Sequence, residues 1–247
     1  MDKRSEFMKL AEDVSQCHIC EGMKTRPNTS QGEYLVNDGH GLGTGKPYVN
    51  LWNLWNGDLD ADIMVIGQDF GTVDDADKLQ NAWKTDTYNS PTDKRLRDLF
   101  RETFSFDVND GSAPLFFTNM ACCYRHNAVS GEMHGGWLPV CASRFMGRLI
   151  RIVSPKIIIV LGQKTFEAMF GLDGIQMECT DPQDTAGKET FESIMAASYR
   201  LVIDGKAINV FPVYHPGTNS IINRKFEKQI EDWKRIKKCY DAKLASE

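Results

Sequence analysis

No run of about 18 apolar residues, the length a helix needs to cross a bilayer, occurs anywhere in the 247-residue sequence. The opening residues Met1, Asp2, Lys3, Arg4, Ser5 and Glu6 lack the apolar core of a signal peptide. These two absences predict a soluble, cytoplasmic protein with no membrane partner. Positive charge is also scarce: 29 Lys and Arg against 34 Asp and Glu give a formal net charge of -5. Because phosphate binding needs positive potential, that balance weighs mildly against nucleic acid as a partner while leaving room for a local basic face. There is no internal repeat and no low-complexity tract. Gly39 to Lys46 is not a phosphate loop, since no glycine pair has the required gap before a Gly-Lys-Ser/Thr ending and Pro47 follows Lys46.

What is present is enough to fold. A hydrophobic content of 41% supports a sizeable core, and a chain of this length is expected to form one domain over residues 1–247. Four segments rich in Val, Ile and Phe read as buried strands: Asp62 to Gly67, Leu115 to Asn119, Lys156 to Gly162 and Ala207 to Tyr214. Helices are expected over Thr92 to Phe104, Cys141 to Val153 and Lys164 to Phe170. This alternation predicts a three-layer α/β/α sandwich around a central four-stranded, mostly parallel sheet. Glu21 to Asn56, rich in Gly, Asn and Pro, reads as an ordered loop region.

In such folds ligands bind at the carboxyl ends of the strands. Three endings carry chemistry: Gly67-Gln68-Asp69-Phe70-Gly71, Asn119-Met120-Ala121-Cys122-Cys123 and His215-Pro216-Gly217. The seven cysteines add a second constellation. A reducing compartment disfavours disulfides and leaves metal binding, catalysis or burial. Cys17-His18-Ile19-Cys20 is a C-x-x-C pair, with Cys123 and Cys141 further on. Four thiolates suit a tetrahedral zinc or a cubane iron-sulfur cluster, and spacing does not separate the two. Cys122, Cys179 and Cys239 are read as small buried residues.

The register is specific enough to carry a resemblance. An amino-terminal C-x-x-C, a third cysteine four residues beyond the strand-ending Asn119, and Cys141 after a further gap resemble the family 4 uracil-DNA glycosylases. Ser154-Pro155-Lys156 through Leu161-Gly162 and His215 through Trp233 look like further segments of that family, and Gly39 to Val49 and Thr180 to Ser198 fall outside it. The resemblance implies a 4Fe-4S cluster held by Cys17, Cys20, Cys123 and Cys141, with zinc as the alternative. It also implies a monomeric, monofunctional glycosylase that hydrolyses uracil or a related damaged base from DNA and so initiates base excision repair. Gly67-Gln68-Asp69 departs from family 4 and is similar instead to the Gly-Gln-Asp triplet of family 1.

Breaking an N-glycosidic bond puts positive charge on the sugar and negative charge on the departing base, so a carboxylate and a hydrogen-bond donor must face opposite ends of the bond. Asp69 and His215 are the catalytic candidates: Asp69 for the attacking water and the sugar cation, His215 for the base anion. Asn119 offers an acceptor and a donor on one amide, matching the N3-H and O4 edge of uracil. Gly67, Gln68, Phe70 and Tyr88 complete the expected substrate pocket, with Tyr88 as the stacking aromatic and Phe70 and Trp83 as alternatives. Gly71 stands where family 1 has a Tyr that excludes thymine, leaving base selectivity open. Arg224 and Lys225 are the expected phosphate contacts. Two other readings compete: a superfamily member that binds uracil-containing or damaged DNA without turnover, and a zinc-binding structural protein.

Overall fold

The computed structural model describes residues 2–17, 19–22, 58–69, 91–108, 112–122, 136–181 and 190–246. Phe70, Gly71, Trp83, Tyr88, Cys123 and the segment 39–49 lie outside these residues.

The centre is a six-stranded sheet in the order β2-β1-β3-β6-β5-β4. Strands β1 (Ile63–Gly67), β2 (Leu115–Asn119), β3 (Ile157–Leu161) and β6 (Lys206–Val213) are the expected four, and each neighbouring pair among them is parallel. They read as unbroken apolar runs because parallel strands are covered on both faces. Alternate residues serve opposite layers. Met64, Ile66, Phe116, Ile158 and Val160 belong to one core, and Ile63, Val65, Phe117, Ile157 and Ile159 to the other.

On the first face lie α1 (Lys3–Ser15), capped by the Asp2 side chain, α3 (Trp137–Cys141), α4 (Gly147–Val153) and α5 (Gln163–Ala168). Helix α1 buries Phe7, Leu10, Ala11 and Val14, a helical stripe, and the Phe7 ring meets Phe116 edge-on at 6.4 Å. Between α3 and α4 the helix relaxes into a π segment, Ala142–Met146. On the second face, α2 (Pro91–Phe104) packs against the long carboxyl-terminal helix α8 (Phe226–Leu244). Trp233 is the pivot, its ring edge-on to Phe100 at 4.9 Å.

Two antiparallel strands were not expected. β4 (Gln176–Asp181) and β5 (Ser198–Ile203) extend the sheet beyond β6, with the short helix α6 (Phe191–Ala196) between them. They enlarge the four-stranded expectation to six and turn the 180–198 segment, in its described part, into sheet edge and helix. A further short helix, α7 (Thr218–Asn223), leads from the His-Pro loop to α8. Among the described residues no helix is long and apolar enough to cross a membrane.

Candidate active site

The parallel register brings the chemistry-bearing strand ends level. Gly67 pairs with Asn119, and Leu161 with Val213, so the chain leaves β1, β2 and β6 at one edge of the sheet. Beyond the strands, backbone bonds continue the alignment: Met120 N–H donates to the Gly67 carbonyl at 2.7 Å and Ala121 N–H to the Gln68 carbonyl at 2.9 Å. The segments that carry Asp69 and Asn119 are therefore fixed to each other by main chain.

Gly67 is required for this closeness. A Cβ there would stand 2.1 Å from Asn119 Oδ1, inside any tolerable contact. The Asn119 side chain thus lies across the Gly67 backbone, and among the described residues no hydrogen bond occupies its amide. Next along the chain, Gln68 Nε2 donates to Asp69 Oδ2 at 3.1 Å, aiming the carboxylate by its neighbour.

His215 arrives from the other side. The Gly217 backbone N–H donates to His215 Nδ1 at 3.0 Å. A backbone amide can only donate, so Nδ1 must be the unprotonated nitrogen and the neutral ring carries its proton on Nε2. Among the described residues no acceptor meets that proton. Burial holds the imidazole below its ordinary pKa, opposed in part by the negative charge of Asp69, so the two groups sense each other across the site. Gly217 has its own steric reason: a Cβ would come within 2.8 Å of Nδ1 and expel the ring. From α2, Arg95 Nη1 donates to the Pro216 carbonyl at 3.3 Å and braces the loop. The site thus presents a carboxylate, an imidazole N–H donor and an amide at one sheet edge, the three functions that N-glycoside cleavage with base reading needs.

The expected phosphate contacts separate. Lys225 precedes α8 with its side chain exposed. Arg224 is committed elsewhere: its Nε and Nη2 reach the Asp232 carboxylate at 3.0 and 2.6 Å, and Gln229 Nε2 donates to its carbonyl at 2.9 Å.

The cysteines gather on the α1 face. Cys17 follows α1, Cys20 lies in the turn Ile19–Gly22, and Cys141 ends α3. Burial pushes the Cys20 thiol up to about 11, with Cys141 and Cys17 adding to the rise, which places these three sulfurs within electrostatic reach of one another. Among the described residues no group of three or more such side chains is arranged to hold a metal ion, and Cys123 lies outside that set. Cys122 is buried as expected, yet it also hydrogen-bonds Cys141 and holds that thiol below its usual range, a contact its strand-side position did not announce. Cys179 corrects the reading of it as buried: it is exposed on the outer strand β4, whose last three residues all face solvent. Cys239 is half-buried, its sulfur 3.1 Å from Asn209 Nδ2.

A profile of the uracil DNA glycosylase superfamily matches residues 54–237, which span β1, Asn119, the His-Pro loop and most of α8. The chain belongs to that superfamily. It is also 25% identical over 233 residues to a type-4 uracil-DNA glycosylase of Sulfurisphaera tokodaii, covering 93% of this chain and 82% of the relative. Membership agrees with the mixed sheet and with the three strand ends, which all fall inside the matched span.

Proposed function

We propose that this chain is a monofunctional uracil-DNA glycosylase that releases uracil, or a related damaged base, from DNA by hydrolysis. The observation that carries the reading is the neutral His215, its Nε2–H unclaimed among the described residues and its ring in electrostatic contact with Asp69, at the sheet edge that also holds Asn119. An extruded uracil lies with its N3-H and O4 edge on the Asn119 amide. Its O2 receives the His215 proton donor as negative charge builds on the base, and Asp69 orients the water and faces the sugar cation. Asp69 takes this role by its likeness to the family 1 triplet, and Gln68 keeps its carboxylate aligned. Oligonucleotides that each carry one altered base provide the test, read as free base released without strand cleavage. Tight binding with no released base would identify a damage-binding protein instead.

The thiol group suits a metal: soft donors crowded together and opposing one another's ionisation favour a cationic partner. In our reading Cys17, Cys20, Cys123 and Cys141 hold a 4Fe-4S cluster that ties the turn after α1 to α3, a structural role outside the hydrolytic step. Anaerobically purified protein is expected to be brown and to contain iron and sulfide. Cys20→Ser or Cys141→Ser should lose both, while Cys179→Ser and Cys239→Ser keep them. Colourless protein with stoichiometric zinc would replace the cluster by the alternative metal.

For DNA contact the reading assigns Lys225 rather than Arg224, whose charge Asp232 already neutralises. Lys225→Glu should weaken DNA binding and flatten its dependence on salt, each lost phosphate contact removing about 0.9 from the log-log slope. Arg224→Ala should instead lower stability, by about 1 to 3 kcal/mol, because it strands a mostly buried carboxylate. Equal salt slopes for Lys225→Glu and wild type would move the DNA face elsewhere. So would a slope loss confined to Arg224→Ala.

A further inference from the structure

Helix α6, between β4 and β5, has no part in the chemistry above, yet it grips the residue beside His215. Tyr214 Oη donates to Glu192 Oε1 at 2.5 Å. The preceding residue on α6, Phe191, sets its ring edge-on to the Tyr214 ring at 4.9 Å. Successive residues of one helix thus hold both the body and the tip of a single side chain. The bond is maintained across neutral pH, since burial and Glu192 push the Tyr214 phenol up to about 12 while the same hydrogen bond lowers the Glu192 carboxyl.

Helix α6 is itself fixed at both ends. Thr190 and Ser193 form a reciprocal capping box, the Ser193 N–H donating to Thr190 Oγ1 at 3.2 Å and the Thr190 N–H to Ser193 Oγ at 3.0 Å. Phe191, Ile194 and Met195 enter the core, and Arg235 of α8 donates through Nη2 to the Met195 carbonyl. On the far side of the His-Pro loop Arg224, held by Asp232, adds its positive charge to the field at Glu192. Glu192 is therefore an exposed carboxylate on a rigid base.

We propose that Glu192 is a positioning residue for His215, acting through the Tyr214 hydroxyl, and that α6 serves as a brace for the catalytic loop. This rests on the glycosylase reading of His215. Pro216 disfavours helical backbone at His215 and favours extended chain, where adjacent side chains leave on opposite sides. Fixing Tyr214 on the α6 side consequently fixes the rotation that points the imidazole into the site. The Gly217 N–H then sets the ring plane. Loss of the outer bond leaves His215 in place chemically but free to swing, and displacements of an ångström can cost on the order of 100-fold in rate.

The test begins with base release by the wild type. With turnover in hand, Glu192→Ala and Tyr214→Phe should each slow single-turnover excision by roughly tenfold, with equilibrium DNA binding and thermal midpoint close to wild type. Glu192→Gln should recover most of the rate, because an amide oxygen still accepts the phenol proton. Tyr214→Phe keeps the ring against Phe191 and so guards against a variant that simply unfolds. Wild-type rates in Glu192→Ala and Tyr214→Phe would overturn the proposal. So would a loss in Glu192→Ala that Glu192→Gln fails to repair. If the wild type releases no base, the glycosylase reading fails by itself. The brace is then judged by the His215 ring signals in NMR, which should broaden or shift in Glu192→Ala and return in Glu192→Gln; unchanged ring signals would reject it.

Discussion

Asp69→Asn is expected to bind uracil-containing DNA with nearly wild-type affinity while its single-turnover excision falls about 100-fold or more, the scale of losing one preorganised electrostatic partner. The substitution keeps size and the hydrogen bond from Gln68, whose amide can still donate to the remaining oxygen. What it removes is the negative charge that we propose faces the sugar cation. Because that charge matters far more in the transition state than in the bound substrate, rate falls and affinity does not. A second, independent reading is available at His215, where the Asp69 charge partly offsets the effect of burial. With the charge gone, the imidazole of Asp69→Asn should titrate at still lower pH than in the wild type. Excision by Asp69→Asn at the wild-type rate would remove the likeness to family 1 as an explanation and leave catalysis to His215 and the backbone dipoles.

The same geometry separates recognition from chemistry. Asn119 is held against a glycine that tolerates no side chain, so Gly67→Ala should displace the amide and damage base selectivity along with rate. Loss of selectivity without loss of folding, measured on paired uracil and cytosine substrates, is the expected pattern. A variant that discriminates as well as wild type would dissociate Asn119 from base reading.

These residues were readable in sequence for a physical reason. Parallel strands buried on both faces appear as continuous apolar runs, and the polar residues that end such runs mark the ligand edge of the sheet. Gly67, Asp69, Asn119 and His215 all stand at such endings. β5 was also within reach: its exposed and buried residues alternate from Ser198 to Ile203, and Asp204-Gly205, with φ of 49° and 77°, makes a two-residue turn into β6. β4 gave no comparable signal, being exposed along most of its length with no apolar face to betray it. The commitments of Arg224 and Glu192 were not legible, since each depends on a partner brought near by tertiary structure. A basic pair beside a loop reads as a phosphate site until the carboxylate on α8 is seen to neutralise half of it. Likewise Cys122 looked like filler next to a ligand position, and only the packing of α3 places it against Cys141.

His215→Ala is expected to lower the single-turnover rate by about 2.7 to 4 kcal/mol in barrier terms, comparable to removal of one oxyanion donor, with little change in DNA affinity. The donor must be the neutral ring, since the Gly217 N–H occupies Nδ1 and leaves the proton on Nε2. Adding a second proton at Nδ1 would set two donors against each other and break the bond that orients the ring. Burial already opposes that protonation, so the folded pKa lies below the unfolded value of about 6.5. For a group depressed in this way the unfolded chain binds the extra proton first as pH falls. The contribution to stability is therefore complete above about pH 6.5 and is lost as pH drops through the folded pKa. Activity should follow the same window: excision by the wild type stays level through neutral pH and declines only below the ordinary histidine range, and His215→Ala lacks that acid limb. A wild-type rate that instead rises as the medium is acidified through pH 6 would mean that the imidazolium is the working form. The hydrogen bond from Gly217 would then have to open before each turnover.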